Sequence, residues 1–228
     1  MSLSPTPRRA RARRALLLAS ACAQMCAGRA IPSAAQLGWG GHFGSIVHYE
    51  MATFVGTQGC DRGNWAASRD PRTFGVGLPG HADTDSWGAA MAAANITYAV
   101  YVAKHNCGFV TWPTASKLPD GSPYNYSVQY SSCPGCNVVA DFLATCAKYN
   151  IRPGFYYSLA TNTFLNVAGL SVQPDPLPGM AVVTQRQYYD IALAQLEELW
   201  SMAPGCVCMR ACVCVRACVR VCVPLAFM

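Results

Sequence analysis

The sequence predicts an α/β fold with a parallel sheet, and two observations carry this prediction. Strand-like runs of β-branched and aromatic residues occur at 43–49, 98–103 and 155–158, and apolar residues at helical spacing separate them at 83–95 and 138–150. The run at 98–103 is apolar without alternation, which is typical of a parallel strand covered on both faces. We therefore expect strand–helix–strand units rather than hairpins.

Polar side chains follow the first two strand-like runs directly. His48 ends the first run, and Lys104, His105 and Asn106 end the second. Parallel barrels carry their chemistry at the C-terminal ends of their strands, so these side chains are candidate site residues. The residues alone also allow two plainer structures, a buried histidine bonded to a loop carbonyl and a core strand followed by a solvated Lys-His turn.

Two motifs resemble the α-L-fucosidases, which are retaining glycoside hydrolases. Residues 104–113, Lys-His-Asn-Cys-Gly-Phe-Val-Thr-Trp-Pro, are similar to that family's second barrel strand, Lys-His-His-Asp-Gly-Phe, a variable pair, Trp-Pro. Residues 43–50, Phe-Gly-Ser-Ile-Val-His-Tyr-Glu, are similar to its first strand, Phe-Gly-x-Phe-x-His-Trp-Gly, with Tyr49 and Glu50 replacing Trp-Gly. Flanking similarity extends from about Gly41 to Trp200.

The resemblance implies a partial (β/α)8 TIM-type barrel over residues 37–202, supplying strands one to three with their helices and truncated before the fourth strand. A complete barrel typically needs about 250 residues, more than the 228 present. The implied reaction is hydrolysis of terminal α-L-fucosyl linkages in glycoconjugates with retention, which requires two carboxyl groups about 5–5.5 Å apart. In the family both lie beyond the position of Trp200, so we expect an inactive chain with no catalytic residue of its own.

The resemblance also implies a set of substrate-binding residues, a fucosylated glycan as partner, and no metal or organic cofactor. Asn64 replaces the acid of a family Glu-Trp pair, and Asn106 with Cys107 replaces the second histidine and the aspartate of the second motif. Of two adjacent tyrosines at the end of the third strand, the second is the one we expect to reach the sugar. The expected substrate-binding residues are His48, Asn64, Trp65, His105, Asn106, Trp112 and Tyr157.

The formal charge of +6 comes from the two ends of the chain. Residues 30–205 contain eight basic and eleven acidic side chains, a net charge of −3. Nucleic-acid binding requires Lys and Arg clustered on a folded face, so this composition argues against a nucleic-acid partner for the central region.

Residues 1–36 contain no acidic side chain, and five arginines at 8–14 precede an apolar run at 15–23. This order predicts a signal peptide and leader, and the run is too short to span a bilayer. We expect a secreted or a vacuolar or lysosomal protein, with an organellar transit peptide as the alternative. The sequons that begin at Asn95 and Asn125 agree with the secretory route.

The cysteines need two explanations. Cys133 and Cys136 lie in a Pro- and Gly-rich loop without a second pair at zinc-finger spacing, which favours a local disulfide. Residues 203–228 are a low-complexity Cys/Val/Arg tail whose Cys-Val-Arg-Ala words favour a translated simple repeat over a soft-metal site or a strand. Two other function classes stay open: a non-catalytic sugar-binding remnant and a Cys-rich metal-binding secreted protein.

Overall fold

A computed structural model describes residues 43–56 and 60–202, so the predicted leader at 1–36 and the tail at 203–228 lie outside the described residues. Two single-turn 3₁₀ helices, Pro71–Thr73 and Val128–Tyr130, lie in the loops. The strands and α-helices in chain order are β1 (Gly44–Val47), α1 (Met51–Val55), α2 (Trp65–Ser68), α3 (Thr84–Ala93), β2 (Tyr98–Lys104), α4 (Val138–Lys148), β3 (Arg152–Tyr157), β4 (Val167–Ala168), β5 (Ser171–Val172) and α5 (Gln185–Met202).

The main sheet has the order β1-β2-β3, and both pairings are parallel. The register aligns Gly44 with Tyr98 and Tyr98 with Arg152, so all three strands run in step towards the same edge. A register shift between Val102 and Lys104 changes the pairing at the end of β2. The predicted α/β fold with a parallel sheet is therefore confirmed.

Helices α3 and α4 cover one face of the sheet and pack closely against each other. A Cβ atom at Gly88 of α3 would lie 2.4 Å from Thr145 Cγ2 of α4, so only glycine allows this approach. The Phe142 ring of α4 lies 5.4 Å from the Tyr101 ring of β2 and 6.2 Å from the Phe155 ring of β3. These aromatic contacts hold α4 on the sheet, and the close approach at Gly88 holds α3 beside α4.

Asp83 is the N-cap of α3. Asp83 Oδ1 accepts a hydrogen bond from the Ser86 amide at 3.1 Å, whereas Asp85 forms an ion pair with Lys148 at 2.6 Å. Thr84 is buried and bonded to Thr145 instead.

Two disulfides lie in the loops at the C-terminal side of the sheet. Cys133–Cys136 closes a four-residue turn, which confirms the predicted local pairing. Cys60–Cys107 joins residues 47 apart in sequence and was not predicted. This second bond attaches the segment before α2 to the loop that follows β2.

The loops that follow β2 and β3 are also joined by a buried polar network. Gly108 has φ of +88°, and a Cβ atom there would lie 2.0 Å from Asn162 Oδ1. The Tyr124 hydroxyl donates to the Gly108 carbonyl at 2.7 Å and accepts from Asn162 Nδ2 at 3.3 Å. Glycine is therefore required at position 108 both for the backbone angle and for the close approach of the second loop.

Among the described helices, none combines the length and the apolar character needed to cross a bilayer.

Candidate functional site

Two histidines meet at the C-terminal edge of the parallel sheet. His48 follows β1 directly and His105 follows β2 directly, and these two strands are hydrogen-bonded neighbours in parallel register. The imidazole ring centroids lie 5.3 Å apart with an angle of 81° between the ring planes. The two histidines, both expected substrate-binding residues, therefore lie side by side at this edge of the sheet.

A carboxylate lies between the two histidines. Glu50 Oε1 is 3.3 Å from His48 Nδ1 and 3.1 Å from His105 Nδ1. Glu50 is only 5% exposed, and it precedes α1, where its amide donates to Thr53 Oγ1 at 3.2 Å. This bond fixes the backbone from which the carboxylate reaches both imidazoles.

Glu50 is a site residue that sequence reasoning missed. In the first motif Glu50 stands only as a replacement for glycine, although a carboxylate two residues after a strand-end histidine is itself a signal for a polar site. The three side chains His48, Glu50 and His105 are called the strand-end cluster below.

Asn106 lies beside the strand-end cluster and connects it to β3. The Ser158 hydroxyl donates to Asn106 Oδ1 at 2.9 Å, and the Asn106 carbonyl accepts from the Thr163 amide at 2.8 Å. The side chain is half-buried. Asn106 thus links the loops after β2 and β3, and it retains some exposed surface.

The two tyrosines at the end of β3 have opposite environments. Tyr156 is 40% exposed, and its ring centroid lies 6.2 Å from that of His105. Tyr157 is 5% exposed, and its hydroxyl donates to Gln195 Oε1 at 2.6 Å. Burial raises the pKa of Tyr157 well above its usual value. Because successive strand residues face opposite sides of a sheet, the tyrosine that accompanies the cluster is Tyr156 and not the expected Tyr157.

Trp65 and Trp112 have packing roles in this structure. They are 2% and 0% exposed, so neither offers an open ring face for a sugar to stack on. Trp65 Nε1 donates to the Pro178 carbonyl at 3.0 Å, and Trp112 Nε1 donates to a Glu198 carboxylate oxygen at 2.8 Å. A motif match identifies such tryptophans but does not reveal whether an indole is buried.

Asn64 is half-buried at the start of α2, away from any exposed aromatic partner, since the adjacent Trp65 indole is buried. Its amide donates to Asp61 Oδ1 at 3.0 Å, and its carbonyl accepts from the Ser68 hydroxyl at 3.3 Å. The backbone of Asn64 therefore organises the first turn of α2.

We expect the two tyrosines to separate binding from stability. Tyr156→Ala should weaken binding of a ligand at the strand-end cluster while changing the unfolding free energy little, because the side chain is substantially exposed. Tyr157→Phe should lower the unfolding free energy by about 1 kcal/mol through loss of the bond to Gln195 and leave binding unchanged. Urea unfolding and ligand titration of both variants measure the two effects. Weaker binding in Tyr157→Phe alone would favour the original expectation.

The fold and the cluster together define an α/β protein with its polar site at the carboxyl edge of a parallel sheet, where α/β enzymes bind their substrates. A family model described as alpha-L-fucosidase matches residues 79–203, which is more than half of the chain. The chain belongs to the α-L-fucosidase family of glycoside hydrolases. The matched range includes His105 and Tyr156, whereas His48 and Glu50 lie before it.

Individual relatives agree with this membership. A protein of Oryza sativa subsp. japonica named "Putative alpha-L-fucosidase 1" is 32% identical over 132 residues, which cover 56% of this chain and 22% of the rice protein. A Bacteroides thetaiotaomicron VPI-5482 crystal structure named "putative alpha-L-fucosidase" is 27% identical, with a TM-score of 0.50, and the match covers 63% of this chain and 32% of that one. A similarly named Bacteroides ovatus ATCC 8483 crystal structure is 24% identical, with a TM-score of 0.53. The match covers 74% of this chain and 24% of the Bacteroides ovatus chain, and it supports the fold. The chain thus spans between a fifth and a third of the length of these relatives.

Proposed function

We propose that this chain provides the sugar-binding part of an α-L-fucosidase that acts on terminal α-L-fucosyl residues of glycans. The strand-end cluster is the observation that carries this proposal, because it brings His48, Glu50 and His105 together at the carboxyl edge of the sheet. A neutral imidazole offers one donor and one acceptor, and a carboxylate forms charge-assisted bonds. The vicinal hydroxyls of a fucosyl ring match such a set of partners.

We further propose that β1, β2 and β3 are the first three strands of a (β/α)8 barrel of the TIM type. The parallel order β1-β2-β3, with crossover helices on one face, supports this architecture. So does the position of the strand-end cluster, since barrel enzymes bind substrates at the carboxyl ends of their strands.

A retaining mechanism, which we propose by family membership, needs two carboxyl groups about 5–5.5 Å apart. Glu50 is the carboxylate in contact with both histidines. Several other described carboxylates have structural partners instead: Asp61 with the Asn64 amide, Asp70 with Arg72, Asp83 with the Ser86 amide, Asp85 with Lys148, Asp190 with Arg186 and Glu198 with Trp112. We therefore propose that the described residues bind and orient the sugar without supplying the complete catalytic pair.

The secretory route is a further proposal, and two features support it. Disulfides such as Cys60–Cys107 form and persist in oxidising compartments. The sequon residues Asn95 and Asn125 are both exposed, as glycosylation requires.

The binding function is tested by titrating the purified 228-residue chain with L-fucose. We expect measurable binding that falls at least about tenfold in His105→Ala, because a lost polar contact to a buried charged network is worth roughly 1.5–3 kcal/mol. His81→Ala is the matched control, since His81 is an exposed histidine outside the cluster. Equal affinity in the His105 and His81 variants would contradict the proposal.

The same preparations separate binding from catalysis when they are incubated with a nitrophenyl α-L-fucoside. We expect binding without release of nitrophenol. The same outcome is expected for the alternative function, a non-catalytic sugar-binding protein. That alternative would be favoured if a longer chain that includes further barrel strands also released no nitrophenol. Release that is abolished in Glu50→Gln would instead make Glu50 a catalytic carboxyl group.

A further inference from the structure

The strand-end cluster also has the composition of a metal site. One ligand atom from each of His48, Glu50 and His105 lies within 4.8 Å of the other two. Zinc binds imidazole nitrogen and carboxylate oxygen at about 2.0–2.2 Å, so tetrahedral ligands lie about 3.3–3.6 Å from each other. The distances of 3.3 Å and 3.1 Å from Glu50 Oε1 to the two Nδ1 atoms are close to that spacing. The ligand atoms of the two histidines also lie within 4.8 Å of each other, so all three atoms border one position that an ion can occupy.

The burial of Glu50 provides an independent observation. The residue is 5% exposed, and among the described residues its Oε2 atom has no hydrogen-bond partner. A buried carboxylate with one oxygen left without a hydrogen bond is only partly compensated for the loss of water. A bound cation would supply the missing interaction.

The lysine next to the cluster does not neutralise Glu50. Lys104 Nζ donates instead to the carbonyl oxygens of Ser158 and Thr161, and the latter distance is 3.1 Å. The Glu50 carboxylate contacts the two imidazoles and takes part in a capping box with the Thr53 backbone, and neutral imidazoles are good ligands for transition metals.

We propose that His48, Glu50 and His105 bind one divalent transition-metal ion of the zinc type. Two histidines and one carboxylate are a common ligand set for zinc and non-haem iron sites that keep a position open. The side chain of His48 is 55% exposed, so the open position faces solvent and gives the ion a path of entry. Glu50 occupies the place of a glycine in the resembled motif, so the motif itself does not supply this ligand.

The test uses zinc alone with the purified 228-residue chain. Free thiols are alkylated first, with the disulfides intact, so that the cysteines at 206–222 cannot bind the ion. Equilibrium dialysis should show one zinc per chain, with affinity lowered at least about tenfold in Glu50→Gln and in His48→Ala. His81→Ala should bind as the unaltered chain does. Because His48 is exposed, its variant is expected to fold even if the Glu50 variant does not, and far-ultraviolet circular dichroism checks both.

Cobalt(II) provides a second readout that identifies the ligands. The proposed site should give visible d–d bands of a four- or five-coordinate ion without a thiolate charge-transfer band, and His48→Ala should lose them. Zinc uptake that is absent, that disappears on alkylation, or that is unchanged in both cluster variants would overturn the proposal. Fucose binding measured after EDTA treatment is a separate outcome: fucose binding without zinc uptake refutes only the metal site, and zinc uptake without fucose binding refutes only the proposed function.

Discussion

Removal of the Cys60–Cys107 disulfide is expected to lower the free energy of unfolding by roughly 4 kcal/mol, about twice the loss on removal of Cys133–Cys136. A disulfide restricts the unfolded chain more when it closes a longer loop, and the two bonds join residues 47 and 3 apart. The Cys107 carbonyl also accepts the Phe164 amide at 3.0 Å, and the Cys60 carbonyl accepts the Thr163 hydroxyl at 3.3 Å. The longer bridge therefore lies where three loops meet.

The measurement is urea unfolding of two double variants, Cys60→Ala with Cys107→Ala and Cys133→Ala with Cys136→Ala. Each is the matched control of the other, because both remove one bridge and two sulfur atoms. The first variant should also bind fucose more weakly, since Cys107 lies two residues after His105. Equal losses in the two variants would show that loop length does not determine the contribution of these bonds.

Stability is expected to rise with pH between about 7 and 10 because of a buried lysine. Lys104 is completely buried, and this burial lowers its pKa from 10.5 to about 7. Between these values the unfolded chain binds a proton that the folded chain does not, so raising the pH favours the folded state. The neutral amine retains two N–H donors for the Ser158 and Thr161 carbonyls. Above about pH 10 the gain is opposed by ionisation of tyrosines in the unfolded chain, since burial raises the pKa of Tyr101 in the folded one.

Lys104→Met should remove this rise. The two carbonyls lose their donor in this variant, which lowers stability most at high pH, so the diagnostic quantity is the slope of unfolding free energy against pH. Lys117→Met, which alters an exposed lysine, should keep the slope of the unaltered chain. A slope that survives in Lys104→Met would mean that another group titrates in this range.

The sequence predicted the parts of the fold that depend on local pattern. The apolar run of β2 and the helical spacing of α4 were visible in windows of a dozen residues, and the parallel arrangement followed from them. The meeting of His48 with His105 could also be anticipated, because both residues end strands of one parallel sheet. Local patterns and strand direction were sufficient for these features.

The remaining features depend on contacts between distant residues. Glu50 becomes a site residue only because His105, 55 positions later, reaches its carboxylate. Tyr156 rather than Tyr157 faces the cluster because a register shift and the strand pleat decide which side chain turns outward. The Cys60–Cys107 bond joins two loops that no motif connects. The resemblance singled out Trp65 and Trp112 as motif residues, but it carried no information about their burial.

The approach of Asn162 to Gly108 has a consequence for how this family can diversify. A Cβ atom at position 108 would collide with the Asn162 side chain, whose Oδ1 also accepts the Leu165 amide at 3.0 Å, so we expect a change in the path of one loop to disturb the other. Exchange of specificity between relatives by transplanting the segment after β2 alone should yield misfolded hybrids. Transplanting residues 105–124 together with residues 158–166 should yield soluble hybrids, because the two loops would then keep their mutual contacts.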